Sequence, residues 1–147
     1  MSNTHDETRS LTSVPVGSLG LIPMAGCEEL GNKIDYYLVK WRKEHENEHR
    51  DNPSFQDYER SSYIVSAKCP RFGTGEAKGL LTESVRGRDL FILVDVMNYN
   101  LTYHLFGNEN HMSPDDHFQD LKRVISAVGG KARRLTVIMP FLYESRQ

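Results

Sequence analysis

Large apolar residues with no polar alternation occupy positions 90–94, directly after a polar, glycine-rich segment. A run of this kind is typical of a parallel strand that is buried on both faces. Shorter apolar runs at 19–24, 63–68 and 135–139 predict three further strands. Residues 76–82 predict one arm of a hairpin that returns toward position 90. The pattern therefore predicts an α/β fold with a mostly parallel sheet, flanking helices and a protruding β-hairpin.

Two segments have the spacing of amphipathic helices. The first begins at Cys27 and places five apolar residues on a single stripe: Leu30, Ile34, Tyr37, Leu38 and Trp41. The second begins at Ser113, an N-cap followed by Pro114, and ends at Gly129. Its predicted buried stripe consists of Phe118, Leu121, Val124, Ile125 and Val128. Because this helix lies between strands 90–94 and 135–139, the three predict a right-handed βαβ unit.

Three stretches lack such periodicity. Residues 1–18 are polar and predict a disordered leader, and residues 45–59 are hydrophilic and predict a helix end followed by a loop. Residues 97–112 contain Asn, His, Tyr and Gly without a period and are longer than an ordinary βα loop. None of the three predicts a strand.

Size, charge and cysteine content limit the class of protein. The 147 residues suffice for one domain, assigned to 19–147, with a sizeable core. With a formal net charge of -2, the chain has no overall field that attracts nucleic acid or an anionic membrane. Cys27 and Cys69 lack CxxC spacing, and no apolar run approaches the ~20 residues of a membrane helix. Together with the absence of a signal-peptide pattern, this indicates a reduced, cytoplasmic protein.

The glycine-rich segment ahead of the central strand carries the candidate chemistry. Its glycines at 73, 75 and 79 permit positive φ values and close approach of the backbone. Glu83, Ser84 and Arg86 then place an acid, a hydroxyl and a guanidinium within a few residues. These groups suit the binding of an anion.

Specific motifs in this segment resemble one family. Residues 72–76 read Phe-Gly-Thr-Gly-Glu and residues 83–89 read Glu-Ser-Val-Arg-Gly-Arg-Asp, in the order and spacing of the ribose-phosphate diphosphokinases, or PRPP synthetases. Residues 134–140 and the final Arg-Gln pair resemble a strand and an ATP-site motif of that family. The resemblance spans most of the chain and implies the family's N-terminal phosphoribosyltransferase-like domain. Relative to the family, residues 97–112 are an insertion.

The resemblance implies two halves of an ATP site. Phe72, Thr74 and Glu76 match the hairpin positions that hold adenine, where an aromatic face stacks on the base and polar groups bind its amino edge. Thr74 replaces the family's usual Asp or Asn. Arg146 and Gln147 match residues that bind the phosphates and ribose, although the preceding Tyr-Glu-Ser departs from the family's Pro-Tyr-(Ala/Ser). A bare structural hairpin and a solvated tail are the alternatives.

A second anion site is also implied. Ser84 and Arg86 match residues that line a regulatory phosphate site in some family members, and Lys131 occupies a position of that site that is often Ser. A lysine there is compatible with anion binding. An ordinary loop salt bridge is an equal alternative for Arg86.

The family transfers the β,γ-diphosphoryl group of ATP to the 1-hydroxyl of ribose 5-phosphate with Mg²⁺, giving PRPP and AMP, and shares its ATP site between subunits of a homo-oligomer. No stretch of these 147 residues resembles the family's metal-binding His segment, catalytic Lys loop or acidic ribose-phosphate loop. The resemblance therefore implies an N-terminal part of the enzyme, with no catalytic residue of its own and inactive alone. The alternative is a non-catalytic regulatory or assembly subunit.

Other motifs give weaker signals. Residues 45–49 read His-Glu-Asn-Glu-His and match the HExxH zinc motif, but their flanks are charged and polar, which favours a solvated face. Asp95 has the position of a receiver phosphoacceptor, yet residues 24–26 supply no acids to hold Mg²⁺. Metal binding at His104, His111 and His117, in or beside residues 97–112, is an open alternative that nothing else in the sequence supports, and no metal site is assigned.

Overall fold

The structure is a computed structural model that describes residues 14–45, 52–55 and 57–146. Residues 1–13 of the predicted leader, most of the HExxH motif and Gln147 lie outside the described residues. Contacts with the sheet begin at Val16, whose carbonyl accepts a hydrogen bond from the Arg133 guanidinium at 2.9 Å. The Ser18 carbonyl accepts another from the Asp89 amide, also at 2.9 Å.

Seven strands and two α-helices follow one another in the described part of the chain. In order they are β1 (Leu19–Pro23), α1 (Glu28–Glu44), β2 (Ala67–Lys68), β3 (Leu80–Leu81), β4 (Asp89–Leu93), β5 (Thr102–Leu105), β6 (Asn108–His111), α2 (Pro114–Val128) and β7 (Arg134–Ile138). A 3-10 turn spans Pro53–Phe55. Within the described ranges, neither helix combines the length and hydropathy needed to cross a lipid bilayer.

A three-stranded parallel sheet in the order β1-β4-β7 forms the centre of the domain. Leu90 of β4 is paired with Gly20 on one side and with Leu135 on the other. The predicted central strand is confirmed, shifted by one residue. The β4-α2-β7 connection is present as predicted, and the Ser113 hydroxyl caps α2 by accepting a hydrogen bond from the Asp116 amide at 3.2 Å.

Helices cover both faces of the sheet, as the apolar run of β4 predicts. Successive residues of a strand point to opposite faces. Leu90 and Ile92 belong to a cluster that includes Val124 of α2, whereas Leu93 packs with Leu21 on the side of α1. The α/β class with a helix on each face is therefore confirmed.

The predicted buried stripe of α1 is wrong in part. Leu30 and Trp41 are 48% and 55% exposed, and the buried residue of α1 is Gly31. A Cβ at position 31 would lie 2.6 Å from the Pro23 ring, so the helix lies directly against the end of β1. The helix is therefore rotated so that Gly31 and, from the predicted stripe, Ile34 face the sheet.

Polar residues complete the inner side of α1. Asp35 accepts hydrogen bonds from the Tyr63 amide (2.7 Å) and the Ser62 hydroxyl (2.9 Å). The Arg42 guanidinium donates to the Tyr58 carbonyl (2.9 Å) and lies over the Tyr63 ring. The spacing of apolar residues does not reveal a helix face whose contacts are made by a carboxylate and a guanidinium.

The predicted strand at 63–68 is divided between two partners. Ile64 forms an isolated parallel bridge with Leu21, and β2 then leaves the sheet to pair with β3. Further out, Arg71 and Ala77 form an antiparallel bridge. Residues 67–81 are called the first hairpin, and they confirm the predicted hairpin.

Residues 97–112, where no strand was predicted, contain a second hairpin, residues 102–111. Strands β5 and β6 pair in antiparallel register from Thr102 and His111 inward. The turn residues Phe106 and Gly107 both have positive φ, at 51° and 78°, as a tight two-residue hairpin turn requires. The prediction failed because these strands are mainly polar and their turn lacks the usual Asn-Gly or Asp-Gly sequence.

Replacing Ile92 by Ala should lower the free energy of unfolding by about 2–5 kcal/mol, because the side chain is 0% exposed and its removal leaves a cavity. Ile138→Ala is the matched control, since Ile138 lies on the adjacent strand β7 but is 42% exposed. That substitution should cost less than about 1 kcal/mol. Urea denaturation followed by circular dichroism measures both, and equal losses would contradict a central position for β4.

Candidate functional site

The tip of the first hairpin brings together three of the predicted site residues. The Phe72 amide donates to the Glu76 carbonyl at 2.7 Å, and the Gly75 amide donates to the Phe72 carbonyl at 2.9 Å. Gly75 has a φ of 88°, which glycine adopts without strain. The Thr74 hydroxyl donates to the Glu76 carboxylate at 3.2 Å. The tip therefore presents an aromatic face beside a hydroxyl and a carboxylate, all exposed to solvent.

The base of the first hairpin packs directly on α2. Gly79 allows the closest approach, because a Cβ there would lie 2.2 Å from the Arg123 carbonyl oxygen. The Cys69 thiol donates to the Asp120 carbonyl at 3.7 Å. Burial raises the pKa of Cys69 to about 11, so the thiol stays protonated near neutral pH and is no nucleophile. The hairpin thus projects its tip while its base is held by the helix.

Residues 139–146, the post-β7 segment, follow the carboxyl end of β7 and contain the predicted Arg146. The Tyr143 hydroxyl donates to the Asp115 carboxylate at 2.6 Å, and the Tyr143 ring packs edge-on against Phe118. Glu144 has a positive φ of 61°, so the chain turns sharply after this anchor. Arg146 is exposed, and Gln147 lies outside the described residues. Tyr143 therefore holds the segment against the first turns of α2, three residues before Arg146.

The predicted phosphate-site residues meet at the opposite edge of the sheet, the amino edge. The Arg86 amide donates to the Ser84 hydroxyl oxygen at 3.4 Å, and the Gly87 amide donates to the Lys131 carbonyl at 2.9 Å. Ser84, Arg86 and Lys131 are all exposed. The loop before β4 and the turn between α2 and β7 therefore place two cations and a hydroxyl on one surface. Nearby Glu83 is paired with Arg88, whose guanidinium lies 2.5 Å from the carboxylate.

Three of the four histidines in the described part of the chain, all except His104, make ring contacts with neighbouring residues. His45, just after α1, donates a hydrogen bond from Nδ1 to the Trp41 carbonyl at 2.7 Å. His111 stacks on Tyr99 with ring centroids 4.4 Å apart, and buried His117 contacts the Asn98 carbonyl at 2.8 Å. No group of three metal-ligating side chains occurs among the residues that the structure describes.

A family model for the N-terminal domain of ribose phosphate pyrophosphokinase matches residues 19–147. The chain belongs to this family. The match covers both hairpins, the parallel sheet and the post-β7 segment, and it confirms the resemblance read from the motifs at 72–76 and 83–89. A search of curated proteins found no match.

In this ribose phosphate pyrophosphokinase domain, the first hairpin and the post-β7 segment contact different sides of α2. Tyr143 contacts Asp115 and Phe118, whereas the hairpin contacts Asp120 and Arg123. Asp115 and Asp120 are separated by about 140° around the helix axis, because each residue turns a helix by ~100°. The helix therefore lies between the two elements that carry the predicted ATP-site residues.

The residues that hold these elements were missed by the sequence analysis of the pyrophosphokinase domain. Tyr143 and Asp115 are 28 positions apart, and Arg71 and Asp120 are 49 positions apart. Neither pair belongs to a local period or to a motif. Contacts between residues this distant in sequence become visible only in the folded structure.

The Tyr143 hydroxyl should ionise at a higher pH than an ordinary tyrosine, because its hydrogen bond to the Asp115 carboxylate raises the pKa of Tyr143 to about 12. Since the folded-state pKa is raised, the resulting stabilisation is present below the ordinary tyrosine pKa of ~10 and is lost as the pH rises through the folded value. Asp115→Asn should move the ionisation to lower pH. Difference absorbance at 295 nm, with Tyr143→Phe to identify the signal, measures it. An unchanged titration in Asp115→Asn would contradict the hydrogen bond.

Proposed function

We propose that this domain supplies the ATP-binding part of a homo-oligomeric ribose-phosphate diphosphokinase, which transfers diphosphate from ATP to ribose 5-phosphate and releases PRPP and AMP. The observation that carries the proposal is the tip of the first hairpin. There the exposed Phe72 ring stands beside the Thr74–Glu76 pair, in a chain whose family model spans 19–147.

Adenine recognition would use the chemistry of that tip. A purine stacks on an aromatic face, and stacking of this kind contributes ~0.5–1.5 kcal/mol beyond burial of area. The Glu76 carboxylate has acceptor capacity beyond its bond with the Thr74 hydroxyl, so it can also accept a hydrogen bond from the adenine amino group. The hydroxyl of Thr74 supports this use by fixing the carboxylate.

Phosphate recognition would come from the post-β7 segment. Open α/β sheets bind ligands beyond the carboxyl ends of their strands, and Arg146 lies there with an exposed, planar guanidinium that suits phosphate oxygens. Gln147 is the proposed ribose contact by resemblance. Mg²⁺ would arrive bound to ATP and neutralise phosphate charge, since the described residues contain no ligand cluster for it.

A site divided between subunits is supported by the position of α2. The helix lies between the hairpin tip and the post-β7 segment, so one chain presents Phe72 and Arg146 on different sides. A homo-oligomer in which the tip of one subunit reaches the Arg146 edge of another would unite the two halves. A cytoplasmic location is part of the same proposal and agrees with the free thiols of Cys27 and Cys69.

The amino edge is the proposed regulatory phosphate site. Arg86 and Lys131 supply two positive charges and Ser84 a hydroxyl, all exposed and grouped by the Gly87–Lys131 hydrogen bond. An anion bound there would lie at the edge opposite to Arg146, separate from ATP. Its role would therefore be regulatory rather than catalytic.

Replacing Phe72 by Leu should weaken MgATP binding about fivefold to tenfold, because leucine keeps apolar bulk but loses the aromatic face. Phe106→Leu is the matched control, since Phe106 is also exposed, at 78% against 50% for Phe72, but lies at the turn of the second hairpin. Isothermal titration calorimetry measures both affinities. Equal affinities for the two variants would count against adenine stacking on Phe72 and favour the non-catalytic interpretation.

Phe72→Ala and Arg146→Ala should each weaken MgATP binding, and mixing the two variants should restore part of the tight sites, because a mixed interface presents one site with both halves intact. The measurement is the number of high-affinity MgATP sites per chain in mixed oligomers, verified by native mass spectrometry. Oligomers of each variant alone are the controls. Mixed oligomers with no more tight sites than either parent would show that the site is built within one subunit.

A further inference from the structure

Arg71, the residue directly before Phe72, lies where the first hairpin, α2 and the second hairpin meet. We propose that Arg71 is a positioning residue: held by the Asp120 carboxylate and the Tyr103 ring, it fixes the orientation of the hairpin tip that carries Phe72 and Glu76. We call these three residues the Arg71 clamp. Its role in nucleotide binding rests on the proposed function, whereas its role in fixing the tip does not.

The contacts of the clamp are largely buried. The Arg71 guanidinium donates to the Asp120 carboxylate at 3.2 Å, and the two side chains are 11% and 10% exposed. Its central carbon lies 4.8 Å from the centroid of the Tyr103 ring, within the range of a cation-π contact. Arg123 donates to the other oxygen of Asp120 at 2.6 Å, so the carboxylate is neutralised from two sides. A largely buried Arg71 guanidinium that moved away from Asp120 would lose its carboxylate partner, which favours one orientation of Arg71.

The second hairpin contacts the other end of the same tip. A Cβ on Gly75 would lie 3.2 Å from the Leu105 side chain, so the turn of the tip abuts β5. Arg71 and Gly75 stand on either side of Phe72, and both ends of this short segment are therefore held by β5. The Phe72 ring itself stays free to face a ligand, with half of its surface exposed.

The first hairpin needs such support. Its regular ladder consists of two residue pairs, Ala67–Leu81 and Lys68–Leu80, followed by the Arg71–Ala77 bridge. Two-stranded hairpins are marginally stable on their own in water. The direction of the tip must therefore be set by contacts with other elements, and the clamp is the charged contact nearest to Phe72. The second hairpin, which the sequence did not predict, supplies Tyr103 and so forms one side of the clamp.

Amide hydrogen exchange at Phe72 and Gly75, measured by NMR on the 147-residue chain, tests the clamp without any ligand. Both amides are bonded within the tip. Arg71→Lys, Asp120→Asn and Tyr103→Leu should each accelerate their exchange roughly tenfold relative to the amides of β4, since local opening becomes easier. Arg71→Lys combined with Asp120→Asn should accelerate exchange less than the product of the single effects, because both remove one interaction.

Arg134→Lys is the matched control for these variants. Arg134 also pairs with a carboxylate that is 10% exposed, Asp89, at 2.5 Å, but it lies at the amino edge of the sheet. The Arg134→Lys substitution should leave amide exchange at Phe72 and Gly75 unchanged relative to the amides of β4. Unchanged exchange in Arg71→Lys and Tyr103→Leu, or equal acceleration in Arg134→Lys, would overturn the clamp.

Calorimetric titration of the same variants with MgATP separates the clamp from the proposed function. Faster amide exchange at Phe72 and Gly75, together with MgATP affinities about fivefold to tenfold weaker, would support the positioning role. Faster exchange with an unchanged MgATP affinity would overturn the positioning role, since the orientation of the tip would then not affect nucleotide binding. Absence of MgATP binding in the unsubstituted chain would contradict the adenine site, while clamp-dependent exchange would still support fixation of the tip.

Discussion

Burial of β4 on both faces is the constraint on which the rest of the domain depends. Leu90, Ile92 and Leu93 are almost without solvent exposure, and a parallel neighbour lies on each side. A strand enclosed in this way has no surface left for ligands, so a ligand can approach β4 only at one of its two ends. Arg146 lies at the carboxyl edge, and Ser84 and Arg86 lie at the amino edge.

Helix α2 packs on this core and also holds the first hairpin and the post-β7 segment. Its apolar side completes the core through Leu121, Val124 and Val128. Its polar side chains hold other elements: Asp115 binds Tyr143, and Asp120 binds Arg71. One helix therefore contributes to folding and to the placement of both proposed halves of the ATP site. Its capping box at Ser113 fixes where these carboxylates fall along the axis.

Sequence reasoning succeeded where a local signal was strong and failed where a contact was distant or polar. The apolar run at 90–94, the Ser113-Pro114 start of α2 and the glycine-rich hairpin are local signals, and each predicted its element. The inner side of α1 was missed because Asp35 and Arg42 take the place of apolar residues. Ile125, assigned to a buried stripe, is exposed because α2 meets the sheet with a narrower face. The polar second hairpin gave no alternation to detect.

The candidate site divides in the same way. The glycine-rich motif predicted that Phe72, Thr74 and Glu76 would share a hairpin, and the family resemblance implied that Ser84, Arg86 and Lys131 would share a surface. Neither spacing nor composition indicated how the tip is oriented, since Arg71, Tyr103 and Asp120 come from three separate elements. Orientation depends on long-range packing, whereas membership of a turn is a local property.

The separation of the two edges also limits how they could communicate. Five residues of β4 span about 16 Å at ~3.3 Å per residue, which is about twice the ~8 Å screening length of physiological salt. The charge of an anion bound at the proposed site of Ser84 and Arg86 would therefore be largely screened from phosphates at the proposed Arg146 contact. A signal between these two proposed sites would therefore need a displacement of the strands, so it would be mechanical rather than electrostatic.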